Sequence, residues 1–144
     1  IQTAEYSPEI GKVLEIKMIP SAFSYVELRY RQPLPVAASP EDLKKLSFSL
    51  ELLAKPAETV MAVSVRLIDA TGEFFQFRAT PFQLRAGNWS KITVPIGKPS
   101  NVWGGNNDGK MDFPVRFSML TVDCRKETAV PVTLMIDNLE FHKQ

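Results

Sequence analysis

The segment NVWGGNNDGKMDFP, Asn101 to Pro114, gathers an indole, three glycines, three side-chain amides and two carboxylates. Two chemistries fit that content. In one, Trp103 offers a flat apolar face to a pyranose ring, and Asn106, Asn107 and Asp108 bind hydroxyls through planar amide and carboxylate groups. In the other, Gly104 and Gly105 permit positive φ, the Asn and Asp side chains cap the local backbone, and Trp103 anchors the loop. An EF-hand is not among the options, because the ligand register does not fit and no Glu stands at the twelfth place.

A second set of candidates is a surface. If the apolar residues of each extended run point inward, the alternate residues point out together. These are Tyr25, Glu27 and Arg29; Ser47, Ser49 and Glu51; Ser64 and Arg66; Phe74, Gln76 and Arg78; and Arg116 and Ser118. On neighbouring strands they would form one polar face with four arginines, two glutamates and a few aromatics. Such a face is either a shallow saccharide groove, with guanidinium forks meeting hydroxyls or carboxylates, or a solvated surface laced with cross-strand ion pairs. The candidate ligand-binding residues are Tyr25, Arg29, Arg66, Phe74, Gln76, Arg78, Trp103 and Asn107. Trp89, at the start of a run, reads as rim or core packing. Asp137 and Asn138 break the alternation of VTLMIDNLEF, which reads as a β-bulge or as an oxygen ligand for a structural calcium. Glu5 and Glu9 would be its companions if the first segment lies beside the last strand.

Catalytic constellations are sparse. His142 is the only histidine and Cys124 the only cysteine, so neither a histidine-centred triad nor a zinc site is expected. GGNNDGK lacks the spacing of a phosphate loop. A pair of carboxylates in a groove, as in a small hydrolase, is the one catalytic alternative the residue types leave open. The chain is expected not to be an enzyme.

The elements that must carry these groups are extended. Period-two alternation runs through Lys12–Ile19, Ser24–Arg31, Lys45–Leu52, Val60–Asp69, Glu73–Ala79, Trp89–Ile96, Pro114–Asp123 and Val130–Phe141. Leu46, Phe48, Leu50 and Leu52 form the cleanest inward set. Val26, Leu28 and Tyr30, and Met61, Val63, Val65 and Leu67, form two others. A turn at Thr71-Gly72 predicts a hairpin. Ser39, Pro40, Glu41 and Asp42 predict one short helical turn. About eight strands with turn-rich links predict an all-β, two-sheet antiparallel sandwich or jelly roll spanning residues 1–144 as a single domain.

Composition is consistent with that. Of 144 residues, 44% are hydrophobic, enough for a core. The net charge of +1 gives no basic surplus for nucleic acid, and no apolar run is long enough to span a membrane. The opening IQTAEYSPEIGK has neither an initiator Met nor a signal pattern, which predicts a piece of a longer protein or a mature product.

The order of these pieces resembles the galactose-binding-like β-sandwich of carbohydrate-binding modules and accessory domains of multimodular glycoside hydrolases. The resemblance runs over GKVLEIKM and YVELRYR, SPEDLKKLSFSLEL, VSVRLIDATGEFFQF with D-x-x-G at its turn, GNWSKITVPI, VWGGNNDGKMDFPVRFSMLTVD and VTLMIDNLEF. It implies a non-catalytic module that binds a polysaccharide or oligosaccharide and holds a covalently linked catalytic domain near it, secreted or periplasmic. It also implies a structural calcium near the closing strand, where Asp137 matches. The alternative is a structural or protein-interaction sandwich packing on a neighbouring catalytic domain without touching sugar, which an exposed apolar patch around Phe74, Phe82 and Leu84 would favour.

Overall fold

A computed structural model of the chain describes residues 2–7, 11–19, 25–79, 84, 87–125 and 130–144, with side chains from Val13 onward. Ten strands lie among them: β1 (Gln2–Ser7), β2 (Gly11–Met18), β3 (Tyr25–Ala37), β4 (Leu46–Lys55), β5 (Val60–Ile68), β6 (Glu73–Ala79), β7 (Ser90–Pro95), β8 (Asn101–Gly104), β9 (Val115–Cys124) and β10 (Val132–Lys143). They form two five-stranded sheets, ordered β1-β2-β10-β4-β7 and β3-β9-β5-β6-β8. Every pairing is antiparallel. The sandwich predicted from alternation is therefore present, with two strands beyond the eight. β1 has no apolar alternation and pairs with β2 through its backbone. β8 opens the Asn101–Pro114 segment and pairs with β6.

The inward faces meet as expected. Phe48, Leu50 and Leu52 from β4, Val63, Val65 and Leu67 from β5, and Phe75 and Phe77 from β6 are all buried. Phe48 and Phe141 of the first sheet meet Phe117 of the second with ring centroids 5.1–5.7 Å apart, which locks the two layers at one end. Cys124 belongs to this core, and burial, with a smaller contribution from the Asp123 charge, pushes its thiol up to about 11. The predicted helical turn is α1 (Pro40–Lys44), where the Ser39 hydroxyl accepts from the Asp42 amide at 3.2 Å. The predicted hairpin is β5–β6, with Gly72 at φ 90° in its turn.

Strict alternation fails where the register shifts, and three of these shifts displace residues from their expected face. The register shifts between Val60 and Ala62, so Met61, expected inside, is 53% exposed. A shift between Arg29 and Leu34 leaves Tyr30 on the rim, its ring edge against Phe117 at 5.1 Å. Ser118 is the extra residue between Phe117 and Met119 opposite β5, and it is buried instead of facing out. A bulge inserts one residue and exchanges the two faces beyond it.

Leu50→Ala should lower unfolding free energy by about 2–5 kcal/mol, because Leu50 has no exposed surface. Met61→Ala should stay within about 0.5 kcal/mol. Denaturant unfolding of both variants checks the assignment, and similar losses at the two positions would contradict it.

Candidate functional site

The outer face of the β3-β9-β5-β6-β8 sheet can be read from register alone. Tyr25 lies beside Asp123 and Asp123 beside Ala62. The next row is Glu27, Thr121, Ser64 and Arg78, and the next is Arg29, Met119, Arg66, Gln76 and Asn101. The last is Arg116, Ile68, Phe74 and Trp103. Seven of the eight predicted ligand-binding residues thus share one face. Asn107 lies in the loop beyond Trp103, at φ 55°. Ser47, Ser49 and Glu51 do not belong here, because β4 is a strand of the other sheet. Outward parity does not say which sheet a strand joins.

Arg66 is the centre of the face. Its Nε donates to Gln76 Oε1 at 2.8 Å, and its Nη1 donates to Glu27 Oε2 at 2.7 Å and lies 3.2 Å from the Met119 sulfur. The guanidinium carbon sits 5.2 Å from the centroid of the Trp103 ring, a cation–π distance. Its Nη2 has no partner among the described residues. Trp103 in turn stacks on Phe74, with centroids 5.5 Å apart and planes 13° from parallel. The indole therefore already has an arginine and a phenyl ring against it.

Two ion pairs cross this face. Arg66 on β5 reaches Glu27 on β3 over the intervening β9, and Glu27 Oε1 also accepts from Arg29 at 2.8 Å. Arg78 on β6 reaches Asp123 on β9 over β5, at 3.0 Å. Between them the outward residues Ala62, Ser64, Met119 and Thr121 are buried, and the Ser64 hydroxyl has no partner among the described residues. Glu27 and Asp123 were visible in sequence only as outward or terminal acids. Nothing local marked them as acceptors for arginines 39 and 45 residues away.

The Trp103 loop is fixed from beneath by Asp69, which has no exposed surface. Its Oδ1 accepts from Thr71 N, Thr71 Oγ1 and Glu73 N at 2.8–2.9 Å, and its Oδ2 accepts from Asp112 N at 3.1 Å. Burial pushes the Asp69 carboxyl up, but the bonds from Asp112, Glu73 and Thr71 outweigh it and hold the group below the usual aspartate value. Within the loop, Gly109 N donates to Glu73 Oε1 and Asn106 Nδ2 to Asp112 Oδ2. Gly105 is obligatory, since a Cβ there would stand 2.3 Å from the Glu73 nitrogen. The self-anchored reading of the loop holds for Asn106 and Asp108, both of which make local bonds. The sequence signal for Asp69 was the D-x-x-G turn.

On the opposite sheet, His142 Nε2 lies 2.9 Å from Ser49 Oγ and 3.1 Å from Glu140 Oε2. A Ser-His-acid relay needs the serine and the acid on different ring nitrogens, so this trio is not a triad. Asp137 and Asn138 do form a bulge, with Asn138 at φ 48°. Asp137 Oδ1 accepts from Asn138 N at 2.8 Å, while Oδ2 is buried with no partner among the described residues. That oxygen fits a hard cation such as calcium. No group of three or more His, Cys, Asp or Glu that could hold a metal occurs among the described residues. The Glu5 side chain and Glu9 lie outside them. Of the apolar patch considered for protein contact, Leu84 is half-buried, Phe74 is stacked on Trp103 and Phe82 lies outside the described residues. Trp89 is half-buried. No described helix is long and apolar enough to cross a membrane.

No protein-family profile and no curated protein matches the chain. Solved structures do. A family 30 carbohydrate-binding module aligns over 99% of this chain and 73% of its own, with TM-score 0.65 and 11% identity. The family 11 module from Clostridium thermocellum, in complex with a β-1,3-1,4-mixed-linked tetrasaccharide, aligns over 96% and 79%, with TM-score 0.59 and 16% identity. An exo-β-agarase aligns over 99% of this chain at TM-score 0.60 and 13% identity. The chain spans only 22% of that enzyme. At these identities the likeness establishes the fold: the β-sandwich shared by carbohydrate-binding modules and domains of agarases.

Because its folded carboxyl titrates below the ordinary value of about 3.9, Asp69 contributes stability that is full above that value and lost as pH falls through the lower, folded one. Asp69→Asn should cost about 1–3 kcal/mol at neutral pH, leaving a backbone donor unmet. It should also flatten the loss of stability below pH about 4. Parallel acid-unfolding curves for parent and variant would refute this assignment.

Proposed function

We propose that the outer face of the β3-β9-β5-β6-β8 sheet binds a polysaccharide chain and does no chemistry on it. The observation that carries this reading is Arg66. Its Nε and Nη1 are held by Gln76, Glu27 and Met119, and it lies against the Trp103 indole with Nη2 uncommitted. A fixed fork of donors beside an aromatic surface is what a sugar needs: apolar contact for the ring's C–H face, directed N–H groups for its hydroxyls. The Gln76 amide lies in the same row, and Arg29, Arg78 and Tyr25 extend the polar surface toward the other end of β3. Phe74 stacks on the indole and supports it. Asn107, in the loop next to Trp103, is a secondary contact.

The module would act as an accessory to a catalytic domain on the same chain, outside the cell. It would raise the local concentration of polymer at that domain. Solved neighbours that are themselves such modules, and agarases of which this fold is one part, support that arrangement. We propose in addition that Asp137 supplies one oxygen to a structural calcium, on the strength of its buried, unpartnered Oδ2.

Arg66→Ala should weaken polysaccharide binding about tenfold or more, the loss of charge-assisted bonds worth about 1.5–3 kcal/mol. Affinity electrophoresis across a polysaccharide panel reads this directly. Equal mobility of variant and parent in every gel that retards the parent removes the face. For the metal, calcium at one hundred times its Kd should add about 2.7 kcal/mol of stability, reversed by chelator and absent in Asp137→Ala. Identical melting in calcium and in chelator removes that proposal.

A further inference from the structure

Glu27 was not among the residues expected to bind ligand, yet it is the acceptor on which the face is built. Its two oxygens are divided between two guanidinium groups, Oε1 with Arg29 at 2.8 Å and Oε2 with Arg66 at 2.7 Å. The carboxylate is mostly covered, with 24% of its side chain exposed, and Arg66 is at 20%. Two further arginines of the face are also engaged. Arg78 is on Asp123, and Arg116 donates to the Asp69 carbonyl beside the buried Asp69 carboxylate. At the centre of the face, the place where an anionic substituent would seek a guanidinium is already filled by a carboxylate of the protein.

We infer that Glu27 is the charge selector of this groove: it orients Arg66 toward hydroxyls and excludes glycans carrying carboxylate or sulfate. The inference rests on the reading that this face binds glycan. An acidic sugar reaching for Arg66 would bring its negative charge next to that of Glu27, in a partly desolvated site where like charges are strongly penalised. A neutral sugar meets no such opposition and needs only the free Nη2 donors, the Gln76 amide and the indole. Glutamine at position 27 keeps the shape and one acceptor oxygen but removes the charge. Arg66 and Arg29 would then both lack a counterion on β3, and the centre of the face would become a site for an anion.

The test is affinity electrophoresis on matched polymers, hydroxyethylcellulose against carboxymethylcellulose and agarose against carrageenan, with the parent and Glu27→Gln. The parent should be retarded by a neutral polymer and not by its charged counterpart. Glu27→Gln should gain affinity for the charged polymer by about tenfold or more, in a manner abolished by added salt, while its affinity for the neutral polymer falls, because Arg66 loses the charged acceptor that holds it. That switch in preference is a readout that mere loss of packing does not produce. Parent retarded equally or better by the charged polymer, or Glu27→Gln binding the neutral polymer with no gain on the charged one, overturns the inference while leaving glycan binding in place. No retardation of the parent by any polymer of either kind overturns the glycan reading itself, and the inference with it.

Discussion

The carboxylate of Asp69 takes four hydrogen bonds from Thr71, Glu73 and Asp112, and the geometry of the proposed binding face follows from it. A buried carboxylate is tolerable only when its lone pairs are met. Here the donors come from the β5–β6 turn and from the far end of the loop after β8. One side chain thus closes the hairpin and ties the loop to it. With both ends fixed, β8 can remain paired to β6 although it is four residues long, and Trp103 is carried to its place opposite Phe74. Gly105 completes the constraint, because the loop passes so close to Glu73 that no side chain fits between them. The indole is positioned by polar bonds on the far side of the strand from the face it serves.

The same economy of placement governs the arginines. A guanidinium on an open sheet face is normally mobile, and ordering it costs rotamer entropy. Arg66 is bound on three sides, so much of that cost is met in folding and not in binding. The strands beneath permit this. Ala62 and Ser64 on β5 are small, which lets the longer side chains of β3, β6 and β5 itself lie down across the sheet. The Ser64 hydroxyl, buried without a partner among the described residues, is the cost of that coverage.

Period-two alternation made most of this fold legible. β4 could be read residue by residue, since Leu46, Phe48, Leu50 and Leu52 are buried where the pattern put them. The α1 cap and the β5–β6 turn were legible for a second reason, as local bonding decides both. What alternation does not carry is phase after a bulge and membership of a sheet. Met61 and Ser118 were misplaced by one inserted residue each and Tyr30 by the wider shift between Arg29 and Leu34, and the β4 serines were assigned to a face that their strand does not join. The pairing of Glu27 with Arg66 depends on β3 and β5 both flanking β9. That is a fact of topology, and no spacing within either strand expresses it.

The asymmetry between the two outer faces is the last step. Both sheets present polar residues, and on both a hydroxyl or an amide could meet a sugar. The β10-β4-β7 face offers Ser47, Ser49, Thr93 and Lys91 with His142, but among the described residues no aromatic ring is stacked there with a guanidinium over it. Hydroxyls of the protein compete poorly with water for hydroxyls of a sugar unless an apolar contact accompanies them, because the exchange of hydrogen bonds is nearly even. An aromatic surface tips that balance, since the ring's C–H face is dehydrated at the same time. Among the described residues, Trp103 with Phe74 supplies it on the β3-β9-β5-β6-β8 sheet, beside Arg66, whose Nε and Nη1 are both bonded.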